Sequence, residues 1–216
     1  MHFSPSLITF IVGLVAVMNP LGNTAIYIAM TGQHERQHQK KVAFVASVAI
    51  AVILVLVTWI GDPLLGVFGI SVDAFRVAGG LIVLLIALRM SRGHSLSQPV
   101  PQGLGKKGQD QFQHPRENIA VVPLAIPLFA GPGAISTIIA HMPEFNTVEQ
   151  RFFVSLICIC IAAGIWVLLY FGPFIGRILG EYGMKIVIRV MGLILAAIAI
   201  QMFAAGLLGL LPGLGG

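Results

Sequence analysis

Charge is what this chain has least of. Only 10% of its 216 residues are Asp, Glu, Lys or Arg, against about 25% in soluble domains. With 57% hydrophobic residues, the apolar surface exceeds what one soluble core of this length can bury. An all-α integral membrane protein is therefore expected. Cysteine is nearly absent too. Cys158 and Cys160 lie in one apolar run, two positions apart and so on different faces of a helix. They read as small buried residues, with a disulfide or redox pair disfavoured. No span holds a metal-spaced His pair, and no nucleophile elbow or phosphate loop occurs. The sequence thus points away from an enzyme, a metal site or any cofactor. The amino terminus, MHFSPSLITF, has no basic segment before its apolar run, so no cleavable signal peptide is expected.

Apolar runs long enough to cross a bilayer, about 20 residues each, predict six spans at 5–31, 42–61, 74–91, 119–141, 152–171 and 186–210. Residues 92–118 are rich in Gly, Pro, Gln, Ser and His and read as a flexible linker, with a regulatory or partner-binding segment as the alternative. The division is a first three-helix repeat (1–91), the linker (92–118) and a second three-helix repeat (119–216), all in one membrane domain.

Basic residues orient the chain. Of the thirteen Lys and Arg, eleven follow spans one, three and five, leaving Arg76 and Arg151 on the other side. Excess Lys and Arg mark the cytoplasmic face, so both termini are predicted outside and the linker inside. The net charge of +5 is loop charge and lipid contact, with no nucleic-acid partner implied.

The chain also repeats itself. RVAGGLIVLLIALRM in span three matches RVMGLILAAIAIQM in span six at eight positions once one Gly is skipped, among them Arg76 with Arg189, Gly79 with Gly192, Ala87 with Ala199 and Met90 with Met202. GDPLLG ends span two and FGPFIG ends span five, while a shift of 112 sets Pro20 on Pro132 and Thr24 on Ser136. Three spans per half place the second copy upside down, as in the inverted repeats of secondary transporters.

Spans one and four are both interrupted. In the first, Asn19, Pro20, Gly22, Asn23 and Thr24 fall together; in the fourth, Gly131, Pro132, Gly133, Ser136 and Thr137 do. Proline removes a backbone donor and clashes with the carbonyl four residues back. Pro20 is expected to free the Ala16 carbonyl, and Pro132 and Pro127 those of Leu128 and Pro123. Such breaks persist only inside protein or beside a wet cavity. Residues 5–18 would rise about 21 Å, so the two breaks should meet at intermediate depth. Helix starts near Asn23–Thr24 and Gly133–Ala134 favour a carboxylate, and freed carbonyls and Asn side chains an ammonium. These ten residues form the predicted substrate site; kinking for packing alone is the competing reading. Arg76 and Arg189 are either gate residues or interfacial anchors. No Asp or Glu falls within a span, so coupling through an intramembrane carboxylate is not expected. His141 reads as interfacial rather than as a proton relay, and Gln201 as either a helix–helix contact or cavity-facing.

NPLGN, PLAIPLFAGPGAIST and RVMGLILAAIAIQMF resemble the MarC family of bacterial inner-membrane proteins, the PLAIPL–AGPGAI block being the most specific. The resemblance covers nearly the whole chain. Members often carry Asp before the first Pro, where this chain has Asn19. The resemblance, which extends to exporters of the lysine type, implies transport of small neutral amino acids such as glycine or alanine across the inner membrane. The partners implied are a small-molecule substrate and lipids; a homo-oligomer is left open. The alternatives are a non-transporting membrane partner or assembly factor, and a membrane redox carrier, which the absence of thiols beside the prolines disfavours.

Overall fold

The computed structural model describes residues 5–32, 34–92, 129–211 and 213. Their regular structure is helical: α1 (Pro5–Met18), α2 (Pro20–Thr31), α3 (Arg36–Phe68), α4 (Val72–Ser91), α5 (Pro132–His141), a single 3-10 turn, and α6 (Val148–Leu210). Helix α6 is two arms joined at Gly180, whose φ of 61° and ψ of −176° leave helical space. These arms, Val148–Gly180 and Tyr182–Leu210, are called α6a and α6b below.

The ends are set by side chains. Ser71 Oγ accepts the Ala74 amide at 3.1 Å and starts α4. Thr147 and Gln150 form a reciprocal capping box at the start of α6a.

The spans differ from expectation in three ways. Helix α3 begins at Arg36 and runs through Pro63 to Phe68, far beyond 42–61. A proline within a membrane helix is tolerated where local adjustment and neighbouring groups satisfy the freed backbone. Helix α6a likewise continues through Pro173, and a bend at Gly180 replaces the loop expected between spans five and six. Among the described residues, five helical spans are long and apolar enough to cross a membrane. The predicted fourth span is described only from Phe129 onward, and residues 93–128, with most of the linker and the Leu128 and Pro123 carbonyls, lie outside the described residues.

Helices α3 and α6a run antiparallel. At one end Arg36 Nη2 donates to the Tyr170 carbonyl at 2.7 Å, and the Arg36 and Lys40 cations lie over the Tyr170 ring. At the other end Arg151 pairs with Asp62 at 3.7 Å. Between them Trp59 Nε1 donates to Ser155 Oγ at 3.0 Å. Cys158 is buried as expected, but Cys160, expected to be buried too, lies on the other face of the helix and is exposed. Helix α4 packs along α6b, also antiparallel, where glycines let the backbones touch: a methyl at Gly80 would sit 2.9 Å from the Ala199 carbonyl, and one at Gly192 would sit 3.1 Å from the Ala87 carbonyl.

The core lies around the first span. Phe10, Leu14, Met18 and Tyr27 of α1–α2 are fully buried and pack with Ile50 and Leu54 of α3, Ile138 of α5 and Leu169 of α6a. Half of the most apolar window of the α1–α2 span is buried, against 17% for α6b. The broken helix is therefore central and α6b peripheral, its outward surface left for lipid. Gln201 is on that exposed surface.

Candidate functional site

The break between α1 and α2 is one residue wide. Asn19 takes the left-handed conformation, φ 46° and ψ 61°, which Asn tolerates better than most side chains. Its amide donates to the carbonyls of Val15 at 3.1 Å and Ala16 at 3.2 Å. The Ala16 carbonyl, expected to be freed by Pro20, thus keeps a partner, because the chain turns tightly at Asn19. Pro20 occupies the first helical position of α2, where its missing N–H costs nothing. The helix starts there, ahead of the expected Asn23–Thr24, and the Asn23 amide already donates to the Asn19 carbonyl at 3.0 Å.

Asn19 caps this helix itself, Oδ1 accepting the Gly22 amide at 3.2 Å. A methyl at Gly22 would come within 2.5 Å of the Asn19 side-chain amide, so the cap requires glycine at that position. Asn23 Nδ2 crosses the break and donates to the Met18 carbonyl at 2.8 Å. Thr24 Oγ1 donates to the Pro20 carbonyl at 2.7 Å.

The start of α5 is different. Gly131 is its cap residue and has no side chain to offer, Pro132 opens the helix, and the Ile135 amide closes the first turn on the Gly131 carbonyl at 3.0 Å. The first amides of a helix have no intrahelical acceptor, so those of Gly133 and Ala134 are available as donors within the helix start. Thr137 Oγ1 donates back to the Gly133 carbonyl at 2.8 Å. Ser136 sits against Gly79 of α4.

The two breaks meet. Asn23 and the Gly131–Ala134 turn line a shared cavity of about 30 Å³, walled by Val17 and Phe129 and by Val83 and Leu195 from α4 and α6b. No charged side chain lines it among the described residues. That volume holds about one water, so the site is closed. Beside it, two buried side-chain atoms have no hydrogen-bond partner among the described residues, Asn19 Nδ2 and Ser136 Oγ. An unmet buried donor costs about 1–3 kcal/mol, and their presence on the two helix starts calls for a functional explanation.

Of the ten predicted residues, Asn23, Gly131, Pro132 and Gly133 line the cavity. Asn19, Pro20, Gly22 and Thr24 build the α2 start, and Ser136 and Thr137 belong to the first turns of α5. Arg76 and Arg189 do not line the cavity. Arg76 pairs with Asp73 at 3.3 Å, and Arg189 is exposed on α6b. Sequence reasoning missed the apolar walls, which no local pattern distinguishes from lipid-facing valine and leucine. It also missed a buried polar network at the far end of α2. There Tyr27 Oη donates to the Gln39 carbonyl at 2.8 Å and Gln39 Nε2 to the Thr31 carbonyl at 2.9 Å. Gln39 stands in a polar stretch with Gln33 and Gln37, so no local signal set it apart. His141 Nδ1 meets the Thr137 carbonyl at 2.8 Å, and its ring packs edge-on against Phe10.

The family model for "MarC family integral membrane protein" matches residues 4–211. The chain belongs to the MarC family. Its relatives include the UPF0056 membrane protein YhcE of Escherichia coli, 35% identical over 97% of this chain and 95% of that one. A UPF0056 membrane protein of Buchnera aphidicola from Baizongia pistaciae is 36% identical over 93% and 91%. One from Aquifex aeolicus is 34% identical over 92% and 90%. No solved structure matches the chain significantly. This MarC protein is therefore an integral, multi-pass membrane protein, and its resemblance in NPLGN, AGPGAIST and RVMGLILAAIAIQMF reflects true membership.

Proposed function

We propose that this MarC-family protein is an inner-membrane secondary transporter of small neutral amino acids, or metabolites of similar size, working by alternating access with both termini outside. The observation that carries the reading is the closed cavity between Asn23 and the start of α5, with buried, unmet polar atoms on both helix starts. The substrate carboxylate docks at the Gly133 and Ala134 amides, the α5 start being the one without a side-chain cap. The α2 start is capped by its own Asn19, so its Asn side chains serve the ammonium and the remaining polar groups. An uncharged lining suits a ligand with no net charge, and valine walls leave room only for a small side chain.

A cavity of about 30 Å³ is smaller than any amino acid, so loading requires one break to draw away from the other. The inverted repeat supplies the means. Two pairs of contacts support it. Gly80 of the first half packs on Ala199, while Gly192 of the second packs on Ala87, the alanine that the repeat sets on Ala199. Gly61 at the end of α3 faces Ile139, while Gly172 of α6a faces Tyr27, which the shift of 112 sets on Ile139. Each of these glycines lies within one residue of the repeat equivalent of the other glycine in its pair, so the halves grip each other similarly and a movement opening one face has a counterpart opening the other. Arg76 and Arg189, repeat equivalents on opposite faces, are the candidate gates.

Flux of radiolabelled glycine, alanine, serine and threonine into vesicles holding the purified protein tests this. Saturable uptake is expected, lost in Asn23→Ala and reduced in Asn19→Ala. A folded wild-type protein that moves none of them sinks the transport reading and leaves a partner or assembly role.

A further inference from the structure

A large cavity lies away from the proposed substrate site. It has a volume of about 730 Å³ and opens where α2 ends and α3 begins, against the second half of α6a. One part of its wall is basic: Arg36, Arg177 and His34. Another is apolar: Ile28, Phe171 and Phe174. No carboxylate lines it among the described residues. Arg177 is exposed and makes no hydrogen bond or ion pair among the described residues. Arg36 spends two guanidinium N–H groups on Tyr170 and Gln39, leaving three of its five donors. His34 Nδ1 is buried without a partner.

We propose that this cavity is a binding site for one anionic phospholipid of the leaflet on the basic side. The phosphate would lie between Arg36 and Arg177, and the upper acyl chain along Phe171 and Phe174. Charge decides the class of headgroup, because two arginines with no acid facing them among the described residues attract an anion and gain little from a net-neutral headgroup. The apolar wall decides the source. A soluble anion would use the arginines alone and leave two phenylalanines, 51% and 61% exposed, uncovered. A phospholipid satisfies both halves. The arginines also sit at helix ends, Arg36 at the start of α3 and Arg177 at the end of α6a just before the bend at Gly180. The site is separate from the central cavity and stands whether or not the protein transports amino acids.

Native mass spectrometry of the purified protein with equal amounts of phosphatidylglycerol and phosphatidylethanolamine, matched in acyl chains, tests the site. Wild type should retain one phosphatidylglycerol preferentially. The preference should fall roughly five-fold for each arginine replaced, the effect of one basic residue at an anionic surface, in Arg177→Gln and again in Arg36→Gln/Arg177→Gln. Phe174→Ala should lower retention while keeping the headgroup preference. Lys41→Gln, at the same basic end but outside the cavity, should change nothing. Because Arg177 is exposed, Arg177→Gln carries the test even if the double variant fails to fold. The proposal is overturned if wild type shows no preference, if Arg177→Gln keeps it, or if Lys41→Gln abolishes it equally. Displacement of the lipid by the same concentration of inorganic phosphate would also overturn it, making this a site for free anions.

Discussion

Asn23 of α2 donates its side-chain amide to the carbonyl of Met18, the last residue of α1, at 2.8 Å. One hydrogen bond thus satisfies a carbonyl that the break leaves without a helix partner and ties the two helices into one span. Asn23 also lines the central cavity, so it is structural and cavity-facing at once. Asn23→Ala leaves the Met18 carbonyl buried and unpaired, at a cost of about 1–3 kcal/mol. The expected result is a lower thermal midpoint in detergent, read by intrinsic Trp fluorescence. An unchanged midpoint would mean that the bond contributes nothing to holding the break.

Gly133 is where three helices come closest. A methyl there would lie 2.5 Å from Val83 Cγ2 on α4 and 2.6 Å from Val17 Cγ1 on α1. Gly133→Ala should destabilise the protein by about 1–3 kcal/mol, as overpacking does, and Val83→Ala should recover part of that loss in the double variant. Additive losses, measured by thermal unfolding of the four proteins, would place the strain elsewhere.

The membrane class and most spans were legible because hydropathy is a sum over about twenty residues and tolerates local error. The breaks were legible because Pro20 and Pro132 are chemically conspicuous. Their detail was not. Whether Pro20 frees the Ala16 carbonyl depends on the conformation of Asn19, and the left-handed turn there lets the Asn19 amide take that carbonyl. Where α3 and α6a end was misjudged because Pro63 and Pro173 read as stops, although a membrane helix can carry a proline through when neighbours absorb the freed carbonyl. The bend at Gly180 was hidden among twenty-five glycines. The cavity walls belong to Val17, Val83 and Leu195, whose inward side is set by packing between distant helices and leaves no trace in local sequence.

Ser136 separates a structural role from a ligand role. Its hydroxyl is buried and unpartnered among the described residues, so Ser136→Ala removes an unmet polar group and should leave the thermal midpoint unchanged or raise it. If the hydroxyl serves a substrate, flux should fall several-fold in the same variant. Thr137→Val is the contrast, since it loses the bond to the Gly133 carbonyl and should affect stability first. A Ser136→Ala protein that is both as stable and as active as wild type would remove Ser136 from the site.

Orientation is open to direct labelling. In a background with Cys158→Ala and Cys160→Ala, a cysteine replacing Lys41 stands at the basic end of α3, and one replacing Glu149 at the start of α6a. An impermeant maleimide applied to cells with a permeabilised outer membrane should modify the Glu149→Cys protein, and the Lys41→Cys protein only after lysis. The reverse pattern would turn the protein over.

Gly180 joins the two arms of α6 in a conformation, φ 61° and ψ −176°, that essentially only glycine adopts. Alanine there would cost about 1–3 kcal/mol or force the chain to straighten into one helix. Straightening would swing α6b off α4 and open the contacts of Gly80 with Ala199 and of Gly192 with Ala87, so neither outcome spares the fold. Gly180→Ala is therefore expected to lower the unfolding midpoint sharply and reduce yield from the membrane. Gly164, midway along α6a with ordinary helical geometry and nothing within 4 Å of an added methyl, is the control. Gly164→Ala should stabilise the protein by up to about 1 kcal/mol through helix propensity alone. If both substitutions raise the midpoint, the bend at Gly180 carries no constraint, and α6 is free to exist as a single straight helix.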